Sequence, residues 1–239
     1  MYGFKAILFD VDGTLADTER DGHRIAFNTA FAEAGLPWHW DVARYGELLA
    51  VTGGKERIRF YCERYAPEFL QQADVDARIK ALHAAKTRHY VALCSRGIPL
   101  RPGVERLLRE AHAAGLRLAI ATTTTPENVT ALLSADLLAL FEKVGAGDTV
   151  PYKKPAPDIY LWVLDQLALP ASACLAIEDS ENGLKASRGA GLETLITLTD
   201  YTRDHDFSGA LLVLPDLDTT DLQQLEALHA QAYAENKKM

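Results

Sequence analysis

The chain has 239 residues, 48% hydrophobic and 24% charged, with a formal net charge of −8. That size fits one large domain or a domain with an insertion, and the composition is that of a soluble globular protein. The acidic balance argues against a general nucleic-acid binder, no apolar run approaches the roughly 20 residues that span a membrane, and three scattered cysteines (Cys62, Cys94, Cys174) without a CxxC pair point to a reducing compartment with no disulfide framework.

The first element begins within a few residues, which leaves no room for a signal peptide and makes the cytoplasm the expected location. Ala6-Ile7-Leu8-Phe9 reads as a short strand, apolar on both faces, ending in Asp10-Val11-Asp12-Gly13-Thr14-Leu15. Period-two geometry sends the Asp10 and Asp12 side chains to one side, and Gly13-Thr14 turns the chain away at once. Such a pair can be no more than turn-favouring acids at a strand end. In an open parallel sheet, however, ligands bind outside the carboxyl ends of the strands.

From about residue 17 to residue 93 the pattern is helical, with no convincing strand. Phe27, Ala30, Phe31 and Ala34 make one stripe, stopped by Gly35-Leu36-Pro37. Thr52-Gly53-Gly54-Lys55 opens a helix carrying Ile58, Phe60, Tyr61 and Tyr65, and a longer helix spans about 74–93. Strand and helix alternate after Arg101-Pro102-Gly103. Strands are expected at 116–121, weakly at 143–146, and at 174–177, 193–198 and 210–214, with helices over 104–114, from Pro126, over 157–167, after Ser180 and over 222–233. The expected fold is α/β: a Rossmann-like parallel sheet with helices on both faces and an inserted α-helical cap. Residues 1–16 and 95–239 are assigned to the catalytic core and 17–94 to the cap, which leaves the core just after the Asp pair and so sits over the crevice.

Three later features fall at strand ends facing the same crevice. Thr122 ends its strand, where a hydroxyl and helix-entry N–H groups can hold a phosphate. Lys154, in Lys153-Lys154-Pro155, offers a fixed ammonium that neutralises a phosphate; Lys153 is read as a solvated neighbour. Glu178-Asp179 follows an apolar strand, and hard carboxylate oxygens suit magnesium. In order and spacing, Asp10-x-Asp12-Gly13-Thr14, Thr122, Lys154 and Glu178-Asp179 resemble motifs I to IV of the haloacid dehalogenase superfamily, mostly magnesium-dependent phosphatases, and the resemblance covers essentially the whole chain.

That resemblance implies Asp10 as a nucleophile forming an aspartyl-phosphate and Asp12 as the acid and base serving the leaving oxygen and the water. It implies Mg2+ on Asp10, the Asp12 backbone carbonyl and Asp179, with Glu178 a ligand or one shell further out. A retained Asp12 favours phosphoester chemistry over dehalogenation. These capped enzymes are often monomers, and no nucleic-acid or membrane partner is expected.

The cap should choose the substrate. The Gly53, Gly54, Lys55 and Arg57 loop places glycines and two cations at a helix start, a candidate second anion site. Lys86 is a candidate for the same cleft, and Glu19, His23 and Tyr45 are candidates for sugar hydroxyls. Asp17-Thr18-Glu19, Trp38-His39-Trp40, Thr52 to Ile58, Ala121 to Thr124 and Gly147-Asp148 resemble the CbbY-like phosphatases, associated with carbon fixation, which remove a phosphate from the Rubisco inhibitor xylulose-1,5-bisphosphate. By that likeness Glu19, the Gly53–Arg57 loop, His83, Lys86, Thr122, Thr123, Thr124 and Asn128 match substrate-contacting stretches. Arg20-Asp21-Gly22 makes the Glu19–His23 spacing one residue longer than the family pattern, so no role is carried onto His23. The alternatives are a β-phosphoglucomutase-like enzyme, a generic sugar-phosphate phosphatase and a non-catalytic sugar-phosphate sensor.

Overall fold

The structure is a computed structural model that describes residues 3–236. Six parallel strands form one sheet: Ala6–Phe9 (β1), Arg117–Ala121 (β2), Phe141–Gly145 (β3), Cys174–Glu178 (β4), Glu193–Thr197 (β5) and Leu212–Leu214 (β6). Their spatial order is β3-β2-β1-β4-β5-β6. β1 pairs with β2 on one side and β4 on the other, so the direction of winding reverses at its carboxyl end, where Asp10 lies.

The continuous apolar run of β1 follows from burial on both faces. Ile7 and Phe9 join one core with Leu107 and Leu108 of Val104–Ala113 (α6) and Leu225 of Leu222–Asn236 (α11). Ala6 and Leu8 face the opposite way, onto Tyr160 and Val163 of Asp158–Leu167 (α9) and Ala186 of Glu181–Gly189 (α10).

The cap is built from Arg24–Glu33 (α1), Val42–Leu48 (α2), Gly54–Tyr65 (α3), Pro67–Leu70 (α4) and Val75–Cys94 (α5). Its own aromatic core centres on Trp40, which lies 4.8 Å from Phe27, 4.7 Å from Phe31 and 5.3 Å from Tyr61, ring centre to ring centre. The two chain crossings between cap and sheet run side by side, bridged antiparallel at Ala16 and Leu100.

Several elements depart from the sequence expectation. Ala34 is exposed, because α1 ends at Glu33 and the chain turns away at Gly35. The short helices α2, α4 and Ala135–Leu138 (α8) carry too few residues to show a helical period. The signal for α2 is its N-cap: the Asp41 carboxylate accepts the Arg44 N–H at 2.7 Å. Pro126–Leu132 (α7) completes the helices. Among the described residues no helix is long and apolar enough to cross a membrane.

Candidate active site

Asp10 still belongs to the sheet, its N–H donating to the Ile177 carbonyl at 3.0 Å. The neighbouring strand β4 ends in Glu178 and delivers Asp179, so the carboxylates of Asp10, Glu178 and Asp179 converge within 4.8 Å of one another. Lys154 closes this group from the loop before α9. Its ammonium donates to Asp10 Oδ1 at 2.6 Å, Glu178 Oε1 at 2.6 Å and the Ala121 carbonyl at 2.8 Å. The Tyr160 hydroxyl also donates to Glu178 Oε1, at 2.5 Å.

Burial pushes the Asp10 carboxyl up to about 8; Glu178 and Asp12 add to the rise, and Lys154 opposes it. Asp179 is also raised, by burial and then by repulsion from Asp10 and Glu178. Burial works against the Lys154 ammonium, but Asp10 and Glu178 outweigh it and hold its pKa above the ordinary range. Fully ionised, three carboxylates against one ammonium would leave two negative charges, which one dication would cancel. Hard oxygen donors in a charge-deficient pocket fit a divalent metal. Gly13 makes room for this arrangement: its φ is +84°, and a Cβ there would collide with the Asp179 carboxylate.

The Asp12 carboxylate does not join that cluster. It turns toward the cap and accepts from Thr18 Oγ1 at 2.5 Å and meets His23 Nε2 at 2.8 Å. The Lys86 ammonium reaches His23 Nδ1 at 2.8 Å, and the His23 ring stacks on Tyr90 at 4.0 Å. Burial opposes ionisation of Asp12, but His23, then Thr18 and Lys86, outweigh it and keep its pKa below the usual carboxylate range. Burial brings the Lys86 ammonium down to about 8. The extra residue before His23 is absorbed by a π-helical turn, Glu19–His23, the local form that takes one inserted residue within a helix. His23 therefore meets Asp12, rather than the sugar hydroxyls for which sequence made it a candidate.

Between these groups and the cap lies a cavity of 280 Å³, lined on the core side by Asp10, Asp12, Thr122, Thr123 and Lys154 and on the cap side by Glu19 and Arg57. A narrow continuation is lined by Gly53, Gly54, His83, Lys86, Thr124 and Asn128. Gly54 is required there, since a Cβ would run into the His83 imidazole. Burial, then Lys86 and Lys55, lower His83 to about 3, so the ring stays neutral. Asn128 is buried, donating to Thr124 Oγ1 at 2.9 Å with its own Oδ1 unpartnered.

Three expectations change. Tyr45 does not line the cleft: it is fully buried, and its hydroxyl donates to Glu19 and accepts from Arg57 Nη1 at 2.8 Å, so it holds those two residues instead. Lys153 is not solvated; it donates to the Gly147 carbonyl at 2.5 Å and pairs with Asp148 at 3.0 Å. Lys55 spends its charge across the cleft on the same Asp148, at 2.5 Å. Thr18, Tyr160, Asp148 and the core loop residue Tyr201, which packs on Tyr45, were assigned no role from sequence. Their contacts are long-range, except that Thr18 sits six residues after Asp12 and Asp148 five residues before Lys153.

Residues 4–191 match the model of the haloacid dehalogenase-like hydrolases. The chain belongs to this family. Within this hydrolase family it groups with the CbbY proteins and is a phosphatase. It is 54% identical over 218 residues to the plasmid-encoded CbbY of Cupriavidus necator, covering 89% of this chain and 85% of that one. A mutant CbbY from Rhodobacter sphaeroides, in complex with xylulose-1,5-bisphosphate, superposes with a TM-score of 0.85 at 44% identity, covering 93% of this chain and 99% of that one. A β-phosphoglucomutase from Clostridium difficile has a TM-score of 0.79 at 18% identity, covering 97% and 99% of the two chains, a likeness of fold alone.

Proposed function

We propose that this haloacid dehalogenase-like hydrolase is a magnesium-dependent sugar-phosphate phosphatase that converts xylulose-1,5-bisphosphate to xylulose-5-phosphate. The observation that carries the chemistry is the division of labour between the two aspartates. Asp10 sits against Lys154 and the acidic cluster, while Asp12 faces the cap on its own set of donors. The substrate is supported by the CbbY relative with xylulose-1,5-bisphosphate bound and by the cationic cap wall of Lys55, Arg57 and Lys86.

Asp10 attacks phosphorus and becomes the aspartyl-phosphate. Lys154 and the Thr122 hydroxyl hold the phosphoryl oxygens. Asp12, ionised at rest, takes up a proton as the substrate phosphate enters, gives it to the leaving sugar oxygen and then takes one from the attacking water, with Thr18 and His23 fixing the carboxyl throughout. Asp10, Asp179 and the Asp12 carbonyl would hold Mg2+, with Glu178 direct or one shell out; when bound, Mg2+ cancels the negative charge that repels a nucleophile from a phosphate monoester. On the cap side Glu19 accepts from sugar hydroxyls. Gly53, Gly54, Lys55, Arg57, His83, Lys86, Thr123, Thr124 and Asn128 enclose the far phosphate.

The test is phosphate release, with magnesium, from xylulose-1,5-bisphosphate, ribulose-1,5-bisphosphate and β-glucose-1-phosphate side by side. Strong preference for the first is expected. Equal slow release from all three would remove the substrate assignment, and glucose-6-phosphate from the third would make the protein a mutase.

Two further outcomes follow. Lys55→Ala should raise KM for the bisphosphate about tenfold, the worth of one charge-assisted hydrogen bond, and leave monophosphates nearly unchanged. Equal losses on both would show that Lys55 only bridges to Asp148. Lys55 is the cleaner variant, because removing Arg57 would strand Glu19, 3.8 Å away. Second, magnesium must displace the proton that Asp10 holds below about pH 8. Magnesium affinity should therefore climb with pH up to that point and then flatten, with proton release in calorimetry run in two buffers. A flat profile between pH 6 and 8 would show that Asp10 is already ionised.

A further inference from the structure

Arg101 stands where the cap's return linker meets the sheet. Its own N–H donates to the Leu15 carbonyl at 2.9 Å, which ties the return linker to the outgoing one. Its guanidinium is spent on uncharged oxygens from three separate segments. Nη1 donates to the Gly13 carbonyl and to Thr197 Oγ1 at 3.4 Å. Nη2 donates to the Leu198 carbonyl at 2.5 Å and the Pro215 carbonyl at 2.7 Å. Among the described residues it makes no ion pair; Asp179, Asp17 and Asp216 act on it only through space.

These acceptors surround the metal pocket. Gly13 directly follows Asp12, and its Cα lies against the Asp179 carboxylate. Leu198 leaves β5, the strand beside the β4 end that delivers Asp179. One rigid planar fork therefore fixes the turn carrying Asp12 relative to the strand ends behind Asp179. A lysine keeps the charge but not the fork.

We propose that Arg101 is a positioning residue that sets the spacing between the Asp12-Gly13 turn and Asp179, and so the fit of the pocket to a divalent cation. The inference rests on the magnesium reading above. Its sign separates it from simple electrostatics. A positive charge near a cation site repels the cation, so removing Arg101 without any change of geometry would tighten metal binding. Positioning requires the opposite.

The test is magnesium calorimetry on substrate-free protein for wild type, Arg101→Ala and Arg101→Lys, with kcat and KM measured alongside. Loss of a partner bonded directly to a metal ligand typically costs about 10–100-fold in metal affinity; Arg101 acts one step further out, through the Gly13 carbonyl, so both variants should weaken magnesium binding by about tenfold, the low end of that range. kcat should fall and partly recover at high magnesium, with KM for the sugar phosphate little changed. Millimolar guanidinium should restore Arg101→Ala but not Arg101→Lys. Unchanged or tighter magnesium binding in the variants overturns the proposal and leaves Arg101 a staple of the linker. If Arg101→Ala does not fold, full affinity in Arg101→Lys overturns it equally. No magnesium binding by the wild type would instead overturn the metal reading, and this proposal with it.

Discussion

Replacing Asp10 with asparagine should abolish turnover and leave the fold as stable as before, or more so. The substitution is nearly isosteric, so the packing of β1 against β2 and β4 is untouched. The amide has no anionic oxygen to attack phosphorus, and loss of a nucleophile costs on the order of 10^4-fold or more. Stability moves the other way. Asp10 is buried among Glu178 and Asp179, and burial together with repulsion from Glu178 and Asp12 raises its pKa against the pull of Lys154. Such a group weakens the folded state above the pKa it has when unfolded, because the unfolded carboxyl ionises freely and the folded one does so only near pH 8. Removing it should relieve that cost at neutral pH, while Lys154 keeps Glu178 as a partner. The checks are phosphate release and thermal melting at pH 7. Activity within about tenfold of wild type would rule Asp10 out as the nucleophile, since no nucleophile is so dispensable. A large drop in melting temperature at pH 7 would mean that Asp10 and Lys154 form a stabilising pair, with no strained charge to relieve.

The reach of sequence into this molecule follows the range of its interactions. β1 and its two aspartates were legible because an apolar run ending in acids is a local pattern. Lys154 and Glu178-Asp179 were legible for the same reason: each sits at the end of a strand or just before a helix with its own signature. What joins them was not. Lys154 bonds Asp10 across 144 residues and Lys86 reaches His23 across 63. Tyr45 shows the limit at a single residue. A tyrosine on a helix reads more readily as core than as site, yet only its buried hydroxyl between Glu19 and Arg57 shows that it is core that holds the site. Lys153 and Lys154 are adjacent and chemically identical, and the fold aims one at Asp148 and the other at Asp10. The extra residue before His23 was visible as a length; that a π-helical turn absorbs it, with His23 stacked on Tyr90 from α5, was not.

Replacing Lys154 with methionine should damage both stability and rate, and the stability loss should grow with pH. Removing one partner of a buried ion pair costs about 3–5 kcal/mol, because the charge left behind has no solvent. Here three carboxylates are left behind, with Tyr160 the only other donor among the described residues to the Glu178 oxygen that Lys154 holds. The sign of the pH effect follows from the two states. Lys154 has a raised pKa when folded, so its stabilising contribution is complete below its unfolded pKa and is lost only in strong base. In the variant the carboxyls of Asp10 and Asp179 rise further. Between the unfolded carboxylate pKa and neutrality the folded variant must hold protons that the unfolded chain releases, and its stability declines across that window. At pH 5 protonation conceals much of the damage; at pH 8 it does not. Magnesium, a substitute positive charge, should narrow the difference at pH 8 without restoring turnover, because the ammonium beside the phosphoryl oxygens is gone. A loss of about 10^2–10^3-fold in kcat is expected for removing one such group. Melting curves at pH 5 and pH 8, with and without magnesium, check the argument. An equal loss at both pH values would mean that Lys154 contributes only packing on Tyr160, and that the charge balance of the pocket is set elsewhere.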